Sequence, residues 1–456
     1  MNEIASAVPA ESNTLSRSLR PRHVTMIAIG GIVGAGLFVG SSAAIAGAGP
    51  AILVTYALTG FLVLLIMRML GEMAVGMPQI RSFTEFARVG LGNWAGFSVG
   101  WLYWFFWVVV VPVEAIAGAA IIEKWIAMPT WAIGVVLMAI MTAVNLLSAR
   151  AYGEFEFWFS SIKVTAIIAF ILVAAAYAFG LISQGGTGFA NLTAHGGFAP
   201  NGWLAALAAV TTVIFSMMGA EIVTIAAVES PEPARAVARM SSSVITRILI
   251  FYVGSILMVL CVVPWNLVVP AESPFTLALD TMHIPFASTI MAWIILTAVL
   301  SCLNSAFYVC SRVLFVLAGH GDAPRWLVRT NKRQVPSHSV MLASVAGFAG
   351  VIAAILSPSR VFAFLLNASG ALIVYIYLAI AVSQVRVRMR NEREGKPPAL
   401  PMWLFPWLSY FAIAGFLAVL IALAITPARF AEFWTSAISV AVALGTYAAM
   451  RRNRHG

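Results

Sequence analysis

Stretches of about twenty uncharged, apolar residues recur along this chain, and that is the length an α-helix needs to cross a bilayer. Twelve such runs can be read, at approximately 22–45, 49–70, 93–122, 129–148, 156–182, 202–228, 242–266, 284–317, 338–356, 361–385, 403–425 and 430–450. In hydrocarbon each backbone amide and carbonyl must find a partner inside the protein, so the runs predict helices and not open sheets. Of 456 residues, 61% are hydrophobic and only 10% charged, against about half and a quarter in a soluble protein. So few charges do not cover a soluble surface of that size. The chain reads as an all-α polytopic membrane protein with twelve transmembrane helices. The 93–122 and 284–317 runs are long enough to predict tilt or extension past the membrane. The first twenty residues are polar and read as a tail, not as a cleavable signal.

Lysine and arginine set the orientation. With the N-terminus inside, the inner segments hold Arg17, Arg20 and Arg22, then Arg68, Arg81 and Arg88, then Arg150 and Lys163, then Arg235, Arg239 and Arg247. They also hold Arg312, Arg325, Arg329, Lys332 and Arg333, the group Arg386, Arg388, Arg390, Arg393 and Lys396, and finally Arg451, Arg452 and Arg454. That places 24 of the 27 basic residues inside and leaves Lys124, Arg360 and Arg429 outside. Such asymmetry follows the positive-inside rule with an even number of spans and both termini cytoplasmic. The net charge of +10 is then a topology signal and not a nucleic-acid footprint.

Other classes find little support. Cys261, Cys302 and Cys310 lie in apolar stretches and the six histidines are dispersed, which predicts neither a disulfide framework nor a metal site. No HExxH, GxSxG or phosphate-binding loop is present, and the longest connector is too short for a catalytic domain. A channel usually combines subunit symmetry with a filter motif. The expectation is no enzyme activity, no metal and no cofactor.

The informative places are where the apolar runs break their own rules. The first span carries Gly30, Gly31, Gly34, Gly36 and Gly40 within eleven residues, each costing a helix about 1 kcal/mol relative to Ala. Such a run serves either close helix packing or an unwound segment whose amides face a cavity. The sixth span offers a partner, with Gly219 beside Glu221 in mid-span. Paired interruptions in corresponding helices of two halves point to a transporter site between inverted repeats. Three ionisable residues read as lying well inside spans: Glu114, Lys163 and Glu221. Each costs roughly 2.5–3.5 kcal/mol at the bilayer centre unless it finds a partner, a cavity or a neutral form. For Lys163 the alternative is snorkelling to the inner interface; for Glu221, a paired structural carboxylate. Glu114 follows Pro112, which frees a carbonyl or kinks the helix. Thr297, Ser301, Asn304, Ser305, Tyr308 and Ser311 form a polar stripe on one face of span eight, fit for interhelical hydrogen bonds or for lining a pathway. Trp101, Tyr103, Trp104 and Trp107 suit an interfacial aromatic belt.

Several motifs together resemble the bacterial amino acid transporter family of the amino acid–polyamine–organocation superfamily. They are GGIVGAGLFVGSSAAIAGAGPA at 30–51, YGEFEFWFSSIKVTAIIAF at 152–170, FSMMGAEIVTIAAVES at 215–230, SCLNSAFYVCSRVLF at 301–315 and the loop Gly321-Asp322-Ala323-Pro324. GAEIVTIAA, VPVEA in span three and SCLNSA in span eight look most like the γ-aminobutyrate permeases of that family. The resemblance implies a five-plus-five inverted repeat with discontinuous helices 1 and 6. It implies a cytoplasmic tail at 1–21, a ten-helix core at 22–390 (halves at about 22–182 and 202–388), and peripheral helices 11 and 12 with the C-terminus at 391–456.

It further implies a multi-pass inner-membrane permease that imports a small amino acid with protons by alternating access. The substrate expectation is γ-aminobutyrate; proline, aromatic residues, histidine, β-alanine or amino acid exchange are the alternatives, and a channel or membrane enzyme is remote. Amides near Val33, Gly34, Ala35 and Gly36 would meet the substrate carboxylate, as helix N-termini favour anions. Carbonyls around Ile32 and from Phe215 through Met218 and Gly219 would accept its ammonium, with Phe215 as an aromatic gate. Lys163 matches a coupling lysine and Glu221 a second coupling candidate. Tyr103, Glu114, Ser301 and Asn304 are candidates by chemistry for the more distant ammonium of a γ-amino acid.

Overall fold

The computed structural model describes Met26 and residues 33–80, 82–147, 149–182, 185–219, 221–222, 247–353, 355 and 358–455. Gly30, Gly31, Ile32, Arg17, Arg20, Arg22, Arg81, Arg235 and Arg239 lie outside them. Among the described residues the secondary structure is entirely helical. A wide helical turn, Gly36–Gly40, runs into α1 (Ser41–Ala48), and a tight turn at Gly49–Ala51 leads to α2 (Ile52–Gly76). Then come α3 (Phe83–Leu91), α4 (Asn93–Ile122), α5 (Thr130–Asn145), α6 (Ala149–Ala178), α7 (Gly202–Ala208) and α8 (Val210–Met217). A second wide turn at Arg247–Gly254 opens α9 (Ser255–Val262), followed by α10 (Pro274–Thr281), α11 (Ala287–Gly319) and α12 (Ser337–Ala353). The last three are α13 (Pro358–Arg393), α14 (Trp407–Ile425) and α15 (Phe430–His455).

Among the described residues, seven helical stretches are long and apolar enough to cross a bilayer, and four apolar helices are shorter. The run predicted at 93–122 coincides with α4. The run predicted at 361–385 is the core of a longer helix, α13, of 36 residues. At 1.5 Å per residue α13 exceeds the roughly 30 Å hydrocarbon thickness, so its last turns, from Arg386 to Arg393, reach past the apolar layer.

The centre of the bundle is α4, whose residues are nearly all buried from Ala95 to Ala119. It packs chiefly against α11 and α13, and α11 also packs against α6. Side chains on all sides of α4 are apolar, as expected of a helix buried all round. Polar clusters fasten the end of the bundle where α2 finishes. Arg388 on α13 reaches Glu72 on α2 at 3.2 Å, and Gln384 donates to the same carboxylate at 3.0 Å. Arg88 on α3 pairs with Asp322 in the loop after α11 and, at 3.0 Å, with Glu85.

Two readings of the polar residues are corrected here. More than three ionisable groups are buried, since Glu156, Glu72 and Arg312 join Glu114, Lys163 and Glu221 at 5% exposure or less. The aromatic belt does not include Tyr103 or Trp107, which are buried on the inward side of α4, whereas Trp101 and Trp104 are only partly covered.

Candidate functional site

The first helical stretch begins where its sequence is poorest in side chains. Val33 and Gly34 are not helical, and Phe38 N–H donates to Gly34 O at 3.3 Å. A helix start leaves N–H groups ahead of the ladder, with the positive end of the dipole behind them. One of these, Ala35 N–H, points at the Glu114 carboxylate of α4, with 3.2 and 3.1 Å to its two oxygens. Gly34 makes the approach possible. A Cβ there would lie 2.6 Å from Cys302 Cβ and 2.8 Å from Glu114 Oε1.

The second break is on α8. The helix ends at Met217, Met218 turns extended at φ −66°, ψ 153°, and Gly219 sits at φ +105°. Only glycine adopts that φ without strain. Glu221 folds back over the break: Gly219 N–H donates to both its oxygens at 3.2 Å. Tyr103 of α4 donates to Oε1 at 2.9 Å and Tyr377 of α13 to Oε2 at 3.1 Å. The two breaks touch, since a Cβ on Gly36 would come within 2.8 Å of Ser216 Cα and 3.1 Å of the Phe215 ring. Phe215 in turn packs against Phe106 of α4, with ring centroids 6.0 Å apart.

A third polar group lies between α6 and α11. Lys163 Nζ donates to Ser301 Oγ at 2.8 Å and stands 3.7 Å from Glu156 Oε1, with both charged side chains fully buried. Ser301 Oγ and Ser160 Oγ donate to the Glu156 carboxylate at 2.7 and 2.9 Å, and Ser305 Oγ reaches it at 3.2 Å. Burying two ions costs several kcal/mol each, and that cost is offset only by close pairing and further hydrogen bonds. Both are present. Lys163 is therefore not snorkelling to an interface.

The structure brings together Val33, Gly34, Ala35, Gly36, Glu114, Phe215, Met218, Gly219, Tyr103 and Glu221 around the two breaks, with Lys163 and Ser301 to one side of Glu114 and Cys302. Ile32 lies outside the described residues. Asn304 is engaged elsewhere, accepting from Asn145 Nδ2 of α5 at 2.8 Å. Two of the expected ammonium acceptors already hold a partner: Ser216 O takes Tyr252 OH at 2.5 Å, and Phe215 O takes Met218 N–H at 3.3 Å. A carbonyl has a second lone pair, so neither is spent.

Sequence reasoning missed Glu156 and Tyr377. Glu156 lies seven residues before Lys163, two turns along one helix face, and the opposite charge at that spacing was a usable signal. Tyr377 had no local signal, because its partner is 156 residues away.

A cavity of about 370 Å³ opens beyond the breaks, lined by Val39, Ile116, Ala117, Ile295 and Phe362, with Glu123, Lys124 and Glu272 also on its wall. Val39 is one turn from Ala35, and Ile116 and Ala117 follow Glu114 on α4. The cavity wall thus shares two helical stretches with the first break. The arrangement can hold an anion at a helix start, a cation near carbonyls and carboxylates, and a small chain between them.

Comparison with known proteins agrees with this geometry. The amino acid permease family matches residues 23–454. The chain is 47% identical to a protein named probable GABA permease from Pseudomonas aeruginosa, over 99% of this chain and 97% of that one. It is 44% identical to the gamma-aminobutyric acid permease of Bacillus subtilis, covering 96% and 94% of the two chains. It is 43% identical to the gamma-aminobutyric acid permease of Escherichia coli, covering 92% and 91%. With a helical membrane fold, two adjoining helix breaks and a match over nearly its whole length, the chain belongs to the amino acid permease family.

Proposed function

We propose that the chain imports γ-aminobutyrate together with protons, by alternating access across the bacterial inner membrane. The observation that carries the substrate is the near full-length identity, between 43% and 47%, to three proteins named as permeases for that compound. The proposed scaffold is twelve spans, with a ten-helix core at 22–390 in two inverted halves and two peripheral helices after it. The charge asymmetry between connectors supports cytoplasmic termini.

In this reading the substrate carboxylate takes the amides at the start of the first helix, around Gly34, Ala35 and Gly36. Its ammonium lies toward the Phe215–Gly219 break, where carbonyls and the Glu221 carboxylate supply acceptors. Phe215 closes over the chain between them. Proton coupling runs through the buried charges Glu114, Lys163 paired with Glu156, and Glu221. Lys163 remains the coupling candidate named by the family pattern, and its buried ion pair with Glu156 sets its position beside α11.

The test is uptake of labelled γ-aminobutyrate into proteoliposomes, with an inward proton gradient imposed or collapsed, challenged with proline, phenylalanine, histidine and β-alanine. Gradient-dependent accumulation displaced best by γ-aminobutyrate supports the reading. Uptake that instead needs internal amino acid means exchange. Accumulation of a different amino acid leaves the transporter and overturns the substrate.

A further inference from the structure

The seat expected for the substrate carboxylate is occupied by a carboxylate of the protein. Ala35 N–H, at the start of the first helix, donates to both oxygens of Glu114, at 3.2 and 3.1 Å. Glu114 is 1% exposed, and its other close neighbours are Gly34 and Cys302, which offer no second strong donor. Two carboxylates cannot share one N–H in a space this small, since like charges at contact repel and a helix start holds about half a unit of positive charge. We propose that Glu114 is a tethered occupant of this seat, and that substrate displaces it only as Glu114 takes up the transported proton. This deepens the proposed transport reading and rests on the substrate carboxylate binding at the first-helix amides.

The step balances without any further reactant. The Ala35 N–H···Glu114 bond breaks and an Ala35 N–H···substrate carboxylate bond forms. One proton from the outer solution adds to a Glu114 oxygen, and it leaves on the inner side when the substrate departs and Glu114 returns to Ala35. A zwitterion and one proton enter, so each cycle carries one positive charge.

The surroundings separate Glu114 from the other buried carboxylates. Glu221 is fixed by a backbone amide and two tyrosine hydroxyls, and Glu156 by Lys163 and three serines. Each is held in place by several donors from more than one element. Glu114 loses its amide when substrate arrives, and the ionisable groups that act on it are then the Cys302 thiol on α11 and the more distant Lys163 ammonium on α6, itself engaged by Glu156. The cavity bordered by Ile116, Ala117 and Val39 is lined by residues within about one turn of Glu114 and Ala35 along their helices, and in this reading it is the route for substrate and proton.

The experiment is equilibrium binding of labelled γ-aminobutyrate to purified protein between pH 5 and 9, by scintillation proximity. If binding takes up one proton, Kd rises about tenfold per pH unit in the alkaline arm, the linkage slope for one proton. Wild type and Lys396→Ala, an exposed site away from both breaks, should show that slope and Glu114→Gln should be flat, because a glutamine leaves the amide without needing a proton. Ala35→Pro is the second variant. Proline fits the first turn of a helix and the φ of −56° at Ala35, and it removes the N–H. It should weaken binding and flatten the slope together. A slope that survives in Glu114→Gln, or is absent in wild type, overturns the proposal. If wild type binds β-alanine or proline in place of γ-aminobutyrate, the substrate reading falls, and the same slopes measured with that ligand still decide the role of Glu114.

Discussion

The two helix breaks are built from the same parts and held in opposite ways. Each presents a backbone N–H to a buried carboxylate. At the second break the carboxylate, Glu221, comes from the same segment and is gripped by Gly219 N–H, Tyr103 and Tyr377. At the first break it comes from another helix: Glu114 of α4 reaches Ala35 N–H and no hydroxyl. Under the proposed exchange, the second break is the scaffold and the first holds the replaceable contact. A carboxylate with three donors on three elements locks those elements together. A carboxylate held by one backbone amide and a weakly donating thiol can be replaced by another carboxylate of similar shape, and a carboxylate of that shape is what an amino acid carries.

The largest effect should come from separating the breaks. Gly36→Val would drive a side chain into Ser216 Cα and the Phe215 ring. We expect uptake to be abolished and stability lowered by about 1–3 kcal/mol, the usual range for overpacking, read by thermal unfolding in detergent. Next in size is the asymmetry itself. Glu221→Ala leaves two buried hydroxyls and an amide without this acceptor, while Glu114→Ala leaves one amide and a weakly donating thiol, and a buried unpaired group costs about 1–3 kcal/mol. Glu221→Ala should therefore lower the unfolding temperature clearly more than Glu114→Ala. Equal losses would erase the distinction drawn between the breaks. Smaller again, Tyr377→Phe and Tyr103→Phe should each cost roughly 0.6–1.7 kcal/mol, the range for hydrogen bonds between helices in a membrane. Both should loosen Glu221 and leave the pH slope of substrate binding in place.

The smallest effect lies outside both breaks. In the loop after α13 the Lys396 ammonium, hydrogen-bonded to Glu394 at 2.8 Å, holds the Glu394 carboxyl below its ordinary range. A depressed carboxylate stabilises the fold above its unfolded pKa and loses that contribution as pH falls through the folded one. Both groups are exposed, so water and salt screen the pair. Lys396→Ala should return Glu394 to ordinary titration, followed by NMR, with uptake unchanged at any pH.

Much of this was legible in the sequence, and the reason differs from feature to feature. The long runs were readable because burial in lipid forces continuous apolar stretches, and α4 follows its run to the residue. Gly34, Gly36 and Gly219 were readable because glycines and a charge in mid-span violate the rules of a membrane helix. What occupies the breaks was not readable. Ala35 and Glu114 are 79 residues apart, and Tyr377 and Glu221 are 156 apart, so their pairing depends on how α4 and α13 pass the breaks. The same limit put Tyr103 in an interfacial belt when its hydroxyl faces Glu221. Asn304 was a candidate by chemistry alone, and chemistry does not show that its helix face is divided between α5 and α6 partners. Glu156 was the avoidable miss, since its charge and spacing from Lys163 are visible in the letters.

The most direct measurement is infrared difference spectroscopy of the purified protein on adding γ-aminobutyrate at neutral pH. Substrate should bring up a protonated-carboxyl stretch that moves in heavy water, persists in Glu221→Gln and is missing in Glu114→Gln. A band that remains in Glu114→Gln, or substrate binding with no new protonated carboxyl in wild type, would contradict an exchange of carboxylates at the first break.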